Sequence, residues 1–431
     1  MPAEFKWGKD GSRPDLEPHS ATKLEVLHDY IVEYLKILAS NTMGKEEFKI
    51  TFVDAFAGGG FYSKGEDGSP FIFLKAVREA EAIINTSQNR RKPLKIDAHF
   101  YFVEKSALNF KCLAESIKLS EWSSEIDKTI FLQHASFQNV ANEIVARTQA
   151  RHPKGGSRAI FFLDQCGWAE VNAKLIAGMA QNLNYKAEFI LNFACEWLAT
   201  YMNGDEKFIK AYDGLGIHDL VPLSELLKLK EETNCDYRYA IAAKIGPALK
   251  AATHAAFFSP FYVEPANGNN HGYWLVHLAP RLRARNAMMD VYYKKQTHIR
   301  AFGNTGLRML AFLPDVEPTG HLTGFNFDNE TLLRAKKHLG ADLLKEFRQL
   351  YPHGVTFQQL CKDRINDTIA NVSLLGETVI LLAQQGELNV NGPNGGTKRS
   401  DMIEDGDRIQ MNPAPFLALP GEPPRKNKLS N

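Results

Sequence analysis

A chain of 431 residues is too long for one small hydrophobic core, so two or three domains are expected. Its content of 44% hydrophobic and 23% charged residues is typical of a globular protein. The polar N-terminus and the lack of an apolar run of about 18 residues predict a cytoplasmic protein without a membrane segment. A net charge of +1 predicts no overall attraction to nucleic acid, so any polyanion would need a local basic patch. The five cysteines are far apart and form no CxxC pair, which gives no support to a zinc site or a disulfide framework.

The first part of the chain predicts a helix followed by alternating strands and helices. Apolar residues recur at helical spacing from Ser20 to Ala39, within an N-terminal arm and helix that we assign to residues 1–49. Five short apolar runs then alternate with helical segments, at residues 49–56, 97–104, 128–135, 158–165 and 187–194. Such a pattern is typical of a parallel sheet that is covered on both faces.

The next segment changes character and then returns to extended structure. Residues 198–256 are helical with mixed charge, and they predict an insertion or a cap. Residues 257–265 and 273–279 predict an antiparallel hairpin, and a helix follows it. We therefore predict an α/β domain over residues 50–301, with a doubly wound, mainly parallel Rossmann-like sheet that ends in this hairpin.

The C-terminal part predicts a second domain. Residues 302–329 are rich in Gly, Pro and Asn and indicate a linker. Residues 330–431 then show three helical segments, the second starting at the N-cap candidate Thr356 and the third ending at Gly386. Two short strands joined by a turn follow, which is the order of a winged helix-turn-helix domain.

The stretch VDAFAGGG is the first candidate binding feature. A strand that ends at Asp54 runs into three consecutive glycines, and glycines let the backbone approach a ligand closely. An ordinary turn is the alternative interpretation. Neither a Gly-x-Gly-x-x-Gly sequence nor a phosphate-binding P-loop is present.

Polar residues follow the next strands of the predicted sheet. Glu104 ends the second strand, Ser136 and Phe137 follow the third, and Asp164 and Gln165 follow the fourth. The carboxyl ends of parallel strands share one edge, where ligands bind. Helix capping is the alternative for Glu104 and Asp164. Because adenosine needs a glycine turn and an acidic residue but no pyrophosphate cradle, S-adenosylmethionine is the cofactor that fits best.

In that order, VDAFAGGG, FVEKS and FLDQCGW resemble the motifs of class I S-adenosylmethionine-dependent methyltransferases. With the helix that carries His19 and Lys23, the Gly68-Ser69-Pro70 turn, the YWLVHLA strand and the terminal wing, the chain more narrowly resembles the three-Cys-motif partner protein (TcmP) family. The resemblance implies a methyltransferase-like domain joined to a winged helix. It also implies a neighbouring three-Cys-motif partner protein.

The resemblance also implies roles for single residues. Asp54, Ala57, Gly58 and Gly60 would line the methionine side of the cofactor. Glu104 would hold the ribose, and Ser136 and Phe137 would lie by the adenine. Asp164, with Gln165 beside it, would face the methyl group as the catalytic pair.

The segment from Asp164 to Gly167 departs from the family pattern. It reads Asp-Gln-Cys-Gly, whereas the family has Asp-Pro-Phe-Gly and amino-methylating enzymes of nucleic acid have Asp-Pro-Pro-Tyr or close to it. Cys166 cannot stack on a flipped base as an aromatic ring does, and an inert buried thiol is the simplest interpretation. Trp168 is the candidate for stacking, with core packing as the alternative.

Further residues are candidates for contact with a substrate. Lys23 and His19 predict either a solvated helix face or contact with a phosphate or the cofactor carboxylate. Ser69 predicts a helix cap whose hydroxyl also faces the crevice. In the tail, the third helix carries only Glu377 as a charge, so contact with DNA would fall to a basic cluster on the first helix and the wing. That cluster is Arg334, Lys336, Lys337, Lys398 and Arg399.

Three functions remain open from the sequence. The first is an S-adenosylmethionine-dependent methyltransferase that acts on or binds DNA or RNA. The second is a non-catalytic binding or regulatory partner on a methyltransferase scaffold. The third is a metal-dependent nuclease, in which Asp54, Glu104, Asp164 and Glu196 would hold Mg²⁺.

Overall fold

The computed structural model of the chain shows a large mixed sheet flanked by helices and a small antiparallel sheet in the C-terminal part. The residues that the structure describes are 7, 12–40, 46–87, 90, 92–151, 158–165, 170–232, 237–263, 273–294, 299–301, 306–307, 325–326, 329–398 and 402–412.

The large sheet has the strand order β3-β2-β1-β4-β5-β7-β6-β8-β9. Its strands are β1 (Glu47–Asp54), β2 (Lys95–Glu104), β3 (Ile130–His134), β4 (Ala159–Leu163), β5 (Ala187–Phe193), β6 (Phe257–Val263), β7 (Tyr273–Ala279), β8 (Ile299–Ala301) and β9 (Phe325–Asn326). Strands β1 to β5 are parallel, and β7 is antiparallel to both β5 and β6. The prediction of a mainly parallel sheet with an antiparallel hairpin is therefore confirmed.

Both faces of the sheet are buried, because its strands are apolar at successive positions. Every residue of β4 is buried. Phe162 packs on one face with Phe73, and Phe161 packs on the other with Phe189. The helices of the first face include α1 (Pro18–Ser40), α2 (Ser69–Ser87), α3 (Ala107–Lys118) and α10 (Leu282–Lys294), and those of the second include α4 (Phe137–Ala150) and α5 (Ala173–Asn182).

The predicted insertion over residues 198–256 is helical and covers part of the second face. Its helices are α6 (Cys195–Tyr201), α7 (Glu206–Leu215), α8 (Leu223–Glu232) and α9 (Tyr237–Ala252). Leu198, Tyr212, Leu226 and Ile241 from these helices are buried in the same cluster as Phe189 of β5. The segment thus contributes to the core of the sheet domain.

The C-terminal part contains three helices and a three-stranded antiparallel sheet with the order β10-β12-β11. The elements are α11 (Asn329–Gln349), β10 (Val355–Thr356), α12 (Phe357–Arg364), α13 (Val372–Gln384), β11 (Leu388–Asn391) and β12 (Arg408–Met411). The Thr356 hydroxyl accepts a hydrogen bond from the Gln359 amide at 3.2 Å, as its predicted N-cap role requires. Strand β10 was not predicted, since two residues give no periodic signal.

The C-terminal part packs against the edge of the large sheet that lies opposite the carboxyl ends of β1 to β5. The Arg285 guanidinium of α10 donates to the carbonyls of Ala370 and Thr368 at 2.6 and 2.7 Å. The Phe258 amide, at the start of β6, donates to Asn366 Oδ1 at 3.0 Å. Because β6 runs in the same direction as β1, these contacts lie at the amino edge of the sheet.

Strand β9 lies inside the predicted linker and pairs with β8, which precedes the linker. Most of the linker lies outside the described residues. No single helix among the described residues is long and apolar enough to cross a membrane. The segments Phe357–Asp367 and Val372–Gln384, which are bent at the break between them, reach the required length and hydropathy only when taken together.

Candidate cofactor and active site

The glycine turn follows β1 directly and adopts a backbone that favours glycine. Gly58 and Gly60 have φ angles of +62° and +93°, a region that residues with a Cβ rarely enter. The Ala57 amide donates to the Val103 carbonyl at 2.9 Å, which fixes the start of the turn against β2. Two of the three glycines are therefore required by backbone conformation.

Gly58 and Gly59 are also approached closely, and the approaching group is Trp7 of the N-terminal arm. A Cβ at Gly58 would lie 2.8 Å from Trp7 Cη2, and one at Gly59 would lie 2.5 Å from Trp7 Cε2. At Gly60 a Cβ would meet Phe71 and Ser116 at 3.2 Å. The sequence indicated a close approach correctly, but the group found there is an indole ring of the same chain. No sequence pattern indicated a contact of Trp7 with the glycines, because Trp7 lies in a segment without periodicity.

Asp54 is a fully buried carboxylate at the carboxyl end of β1. Its Oδ1 accepts a hydrogen bond from the Phe56 amide at 3.2 Å, and within the described residues its Oδ2 has no partner. Burial raises the pKa of Asp54 to about 7, against the opposing effects of the Ser69 hydroxyl and the Phe56 amide. Ser69 is the first residue of α2, and Gly68, whose carbonyl accepts from the Ile72 amide, is in the cap position. Ser69 therefore lies one position after the cap, and its hydroxyl lies beside Asp54. Its contact with a substrate stays a prediction.

Glu104 joins the end of β2 to the glycine turn. Its Oε2 accepts from the Gly58 amide at 2.9 Å, and its Oε1 accepts from the Ser106 amide at 2.7 Å. The N-cap of α3 is Ser106, so the capping alternative for Glu104 is wrong. The Glu104 carboxylate thus lies directly beside the glycine turn, and its contact with the ribose stays a prediction.

Ser136 and Phe137 lie at the start of α4, at the same edge of the sheet. Ser136 is in the N-cap position but its side chain makes no cap hydrogen bond. The Phe137 ring is buried against the Phe161 ring, with centroids 6.3 Å apart. Ser136 thus keeps a polar side chain at this edge, whereas Phe137 belongs to the core. Their contact with adenine stays a prediction.

Asp164 follows β4 and is held by side chains from two other elements. The Lys23 ammonium of α1 forms an ion pair with Asp164 Oδ2, and Asn192 Nδ2 of β5 donates to Oδ1 at 2.8 Å. The side chain of Lys23 is only 7% exposed, so the solvated-face interpretation of this residue is wrong. The N-cap of α5 is Asn172, so Asp164 does not cap that helix either. Asn192 was missed because an Asn inside an apolar strand has no distinctive spacing.

An aromatic wall adjoins the ion pair. The Lys23 ammonium lies 5.7 Å from the ring centroid of Tyr273, whose hydroxyl donates to the His19 carbonyl at 2.9 Å. Burial lowers the pKa of His19, so its imidazole is neutral at pH 7. Desolvation and the nearby Asp164 charge raise the pKa of Tyr273 well above its usual value. The Lys23 side of the pair is therefore buried, whereas the Asp164 side chain remains 22% exposed.

Gln165 has its side chain turned into the following loop. It is buried, and its Oε1 accepts from the amides of Glu170 and Val171 at 3.0 and 2.9 Å. The Oε1 atom therefore holds the loop, whereas Nε2 is buried without a partner in the described residues. A catalytic role for Gln165 stays a prediction. Cys166 and Trp168, also singled out in the sequence, lie outside the described residues.

Two of the five members of the basic cluster predicted for the tail form ion pairs. Lys336 lies 2.6 Å from Glu377, and Lys398 lies 2.6 Å from the buried Asp407. Arg334 and Lys337 are exposed on α11, and Arg399 lies outside the described residues. The tail therefore offers less free positive charge than its sequence indicates.

The carboxylates proposed for a metal site do not form a recognisable set of ligands. No group of three or more His, Cys, Asp or Glu side chains with suitable geometry occurs within the part of the chain that the structure describes. Asp164 is instead bound by an ammonium and an amide, and Glu104 by two backbone amides.

No family model and no curated protein matches this chain. Among solved structures, it is similar to Trm1 from Pyrococcus horikoshii with S-adenosyl-L-methionine, at 12% identity over 91% of each chain, with a TM-score of 0.27. It is also similar to loganic acid methyltransferase with SAH, at 12% identity over 67% of this chain and 84% of that one, with a TM-score of 0.26. A third similarity is to a putative O-methyltransferase from Klebsiella pneumoniae, at 8% identity over 57% and 79%, with a TM-score of 0.25.

The strand order of this chain itself defines the class of fold, a mostly parallel, doubly wound sheet with helices on both faces.

Proposed function

We propose that this chain binds S-adenosylmethionine at the carboxyl edge of the large sheet and is a methyltransferase. The observation that carries the proposal is Asp54, a fully buried carboxylate beside a glycine turn, with one oxygen that has no partner in the described residues. A buried oxygen without a partner is costly unless a ligand satisfies it. The ammonium group of the cofactor's methionine moiety is a suitable donor.

The other contacts of the cofactor follow from this placement. The backbone of Ala57, Gly58 and Gly60 would border the methionine moiety, and Glu104 would accept from the ribose hydroxyls. Ser136 and Phe137 are the proposed neighbours of the adenine. The fit is supported by the position of the Glu104 carboxylate beside the glycine turn, whose conformation brings backbone amides to this edge.

The bound cofactor supplies an electrophilic methyl group. The chain's own contribution is to orient the acceptor, and we assign this role to Asp164. An ionised carboxylate is only a hydrogen-bond acceptor, so Asp164 suits an N–H group of an amine. The Lys23 ammonium stabilises the charge of this carboxylate, and Asn192 fixes its rotation.

The acceptor that we propose is an exocyclic amine of a nucleic-acid base. The preference of Asp164 for an N–H donor supports this choice, together with the resemblance of the sequence to the three-Cys-motif partner family. A base would be taken out of its stack to reach the edge of the sheet.

We propose that the C-terminal part is a winged-helix module that docks a protein. In DNA-reading helix-turn-helix domains, the first residues of the recognition helix contact base edges. Here the Val372 amide, at the start of α13, donates to Asn286 Oδ1 of α10 at 2.7 Å, and Asn371 donates to Asp290 at 2.8 Å. Because this helix end is packed against the sheet domain, protein docking is favoured over reading of DNA. A three-Cys-motif protein is the partner that the sequence resemblance suggests.

A non-catalytic binding partner is the second candidate function. It is favoured by the two bonds that already engage both Asp164 oxygens and by the loop-holding role of Gln165. Such a protein would bind the cofactor without transferring the methyl group.

The test combines binding and transfer. We would titrate S-adenosylmethionine and S-adenosylhomocysteine calorimetrically into the wild type, Asp54→Asn and Asp164→Asn, and measure methyl transfer to DNA, RNA and protein. If the protein is a methyltransferase, both the wild type and Asp164→Asn should bind the cofactor. Of these two, the wild type should transfer the methyl group and Asp164→Asn should not. Binding without transfer to any acceptor would favour the second candidate, and no binding at millimolar ligand would exclude both.

A further inference from the structure

The N-terminal arm packs onto the glycine turn through Trp7. The indole is 5% exposed, and its Nε1–H donates to the Phe61 carbonyl at 2.9 Å. The Trp7 amide donates to Asn109 Oδ1 of α3 at 3.4 Å. The ring lies against Gly58 and Gly59, so any side chain at these two positions would collide with it.

Other residues of the arm bind the rest of the same loop. The Ser63 amide donates to the Pro14 carbonyl at 2.9 Å, and the Ser63 hydroxyl bonds to Asp15. The Arg13 guanidinium lies 5.6 Å from the centre of the Phe61 ring. The loop from Gly58 to Ser63 is therefore held by the arm along its length.

The held loop borders the proposed site. Tyr62 lies next to Trp7, with ring centroids 6.0 Å apart. Burial, followed by the charges of Asp164 and Asp54, raises the pKa of Tyr62, which places this ring near both carboxylates. The Gly58 amide, next to the indole, donates to Glu104. A movement of Trp7 would thus shift the positions of the groups proposed to bind the cofactor.

Three consecutive glycines give a loop high conformational entropy, so it needs outside contacts to keep one shape. We propose that Trp7 is a positioning residue of the cofactor site: its indole holds Gly58 and Gly59 in the binding shape, and the arm thereby sets cofactor affinity. This inference rests on the proposed function. Gly59 must then lack a side chain so that the indole can pack against it. Its effect on cofactor binding is indirect and depends on this contact.

A double-mutant cycle tests the contact. Trp7→Ala removes the indole, and Gly59→Ala places a Cβ where the indole lies, so each change breaks the same contact. Each is expected to weaken S-adenosylhomocysteine binding about tenfold, and the double variant is expected to be no weaker than either, because coupled residues are not additive. Trp7→Phe, which keeps an aromatic ring but loses the Nε1–H donor, should recover part of the affinity.

The matched control is Gly178→Ala on α5, where a Cβ would meet nothing within 4 Å. It should leave affinity unchanged. Tighter binding by Trp7→Ala would mean that the indole competes with the cofactor and would overturn the proposal. Unchanged binding by Trp7→Ala, or additive effects in the double variant, would overturn it as well.

A ligand-free measurement separates this inference from the proposed function. Hydrogen exchange of the amides from Gly58 to Tyr62 should be faster in Trp7→Ala than in the wild type without any cofactor. Equal exchange would refute the role of Trp7 even if the wild type binds the cofactor. Absence of binding by the wild type would refute the proposed function, whatever the exchange rates.

Discussion

The two edges of the large sheet differ in what their buried polar groups contact. At the amino edge, Arg285 of α10 is fully buried; its two terminal nitrogens donate to backbone carbonyls of the C-terminal part, and its Nε has no partner in the described residues. At the carboxyl edge, the Asp54 Oδ2, Asn192 Oδ1 and Gln165 Nε2 atoms are all buried without a partner in the described residues. The amino edge thus joins two parts of the chain, whereas the carboxyl edge gathers several buried polar atoms that a ligand could satisfy.

The two edges also differ in which parts of the sequence they bring together. The amino edge joins residues some 80 positions apart, such as Arg285 and Ala370, and their contacts unite the apolar cores of the two parts. The carboxyl edge brings together Lys23, Asp164 and Asn192 from three elements around one carboxylate. Changes at the first edge should lower the free energy of unfolding and leave ligand binding intact, and changes at the second should weaken ligand binding without lowering the free energy of unfolding.

The largest expected effect is on stability, from Arg285→Met. The change leaves the carbonyls of Thr368 and Ala370 buried without donors, and we expect the free energy of unfolding to fall by about 3 kcal/mol. Denaturant unfolding measures this loss, and Arg281→Met, at an exposed position of the same region, is the control. Weaker cofactor binding by folded Arg285→Met would contradict the separation of the two edges.

At the carboxyl edge, Asp54→Asn should weaken S-adenosylmethionine binding about 100-fold, since the ammonium would lose its counter-charge. The same change should raise the free energy of unfolding above pH 7, because it removes a buried charge. Calorimetric titration and denaturant unfolding at pH 8 measure the two effects. Loss of stability together with loss of binding would show that Asp54 holds the fold and not the ligand.

The pH dependence of cofactor binding tests the role of the Asp54 carboxylate. The pKa of Asp54 is about 7 in the free protein, and a bound ammonium would lower it. Affinity should therefore rise with pH by up to about tenfold per unit below pH 7 and level off above it. Without ligand, the sign is opposite: the unfolded carboxyl ionises near pH 4 and the folded one near 7, so stability falls between these values. Asp54→Asn should abolish both slopes, and a flat wild-type profile would refute the assignment.

The smallest expected effect concerns the tail. Lys398→Ala removes one hydrogen-bond donor from Asp407, which keeps the hydrogen bond from the Glu404 amide, and we expect a loss of about 1 kcal/mol in the free energy of unfolding. Lys337→Ala, at an exposed position, is the control and should change little. If Lys398→Ala instead reduced DNA binding and its salt dependence at unchanged stability, the wing would be a DNA contact.

Much of the fold was predictable because strand and helix periods are local properties. The runs around Phe52, Phe100 and Phe161 predicted β1, β2 and β4 within a few residues, and helical spacing predicted α1. The short strands β8, β9 and β10 were not found, since two or three residues carry no period. The capping role of Thr356 was found because a cap acts within three residues.

The site was predictable only as far as its strand ends. The sequence by itself determined that Asp54, Glu104 and Asp164 share the carboxyl edge, because parallel strands bring their ends together. Only the tertiary structure decided what surrounds them: Trp7 on the glycines, Lys23 and Asn192 on Asp164, and a tail at the opposite edge. These contacts join residues far apart in sequence, and their geometry depends on packing, which no local pattern encodes.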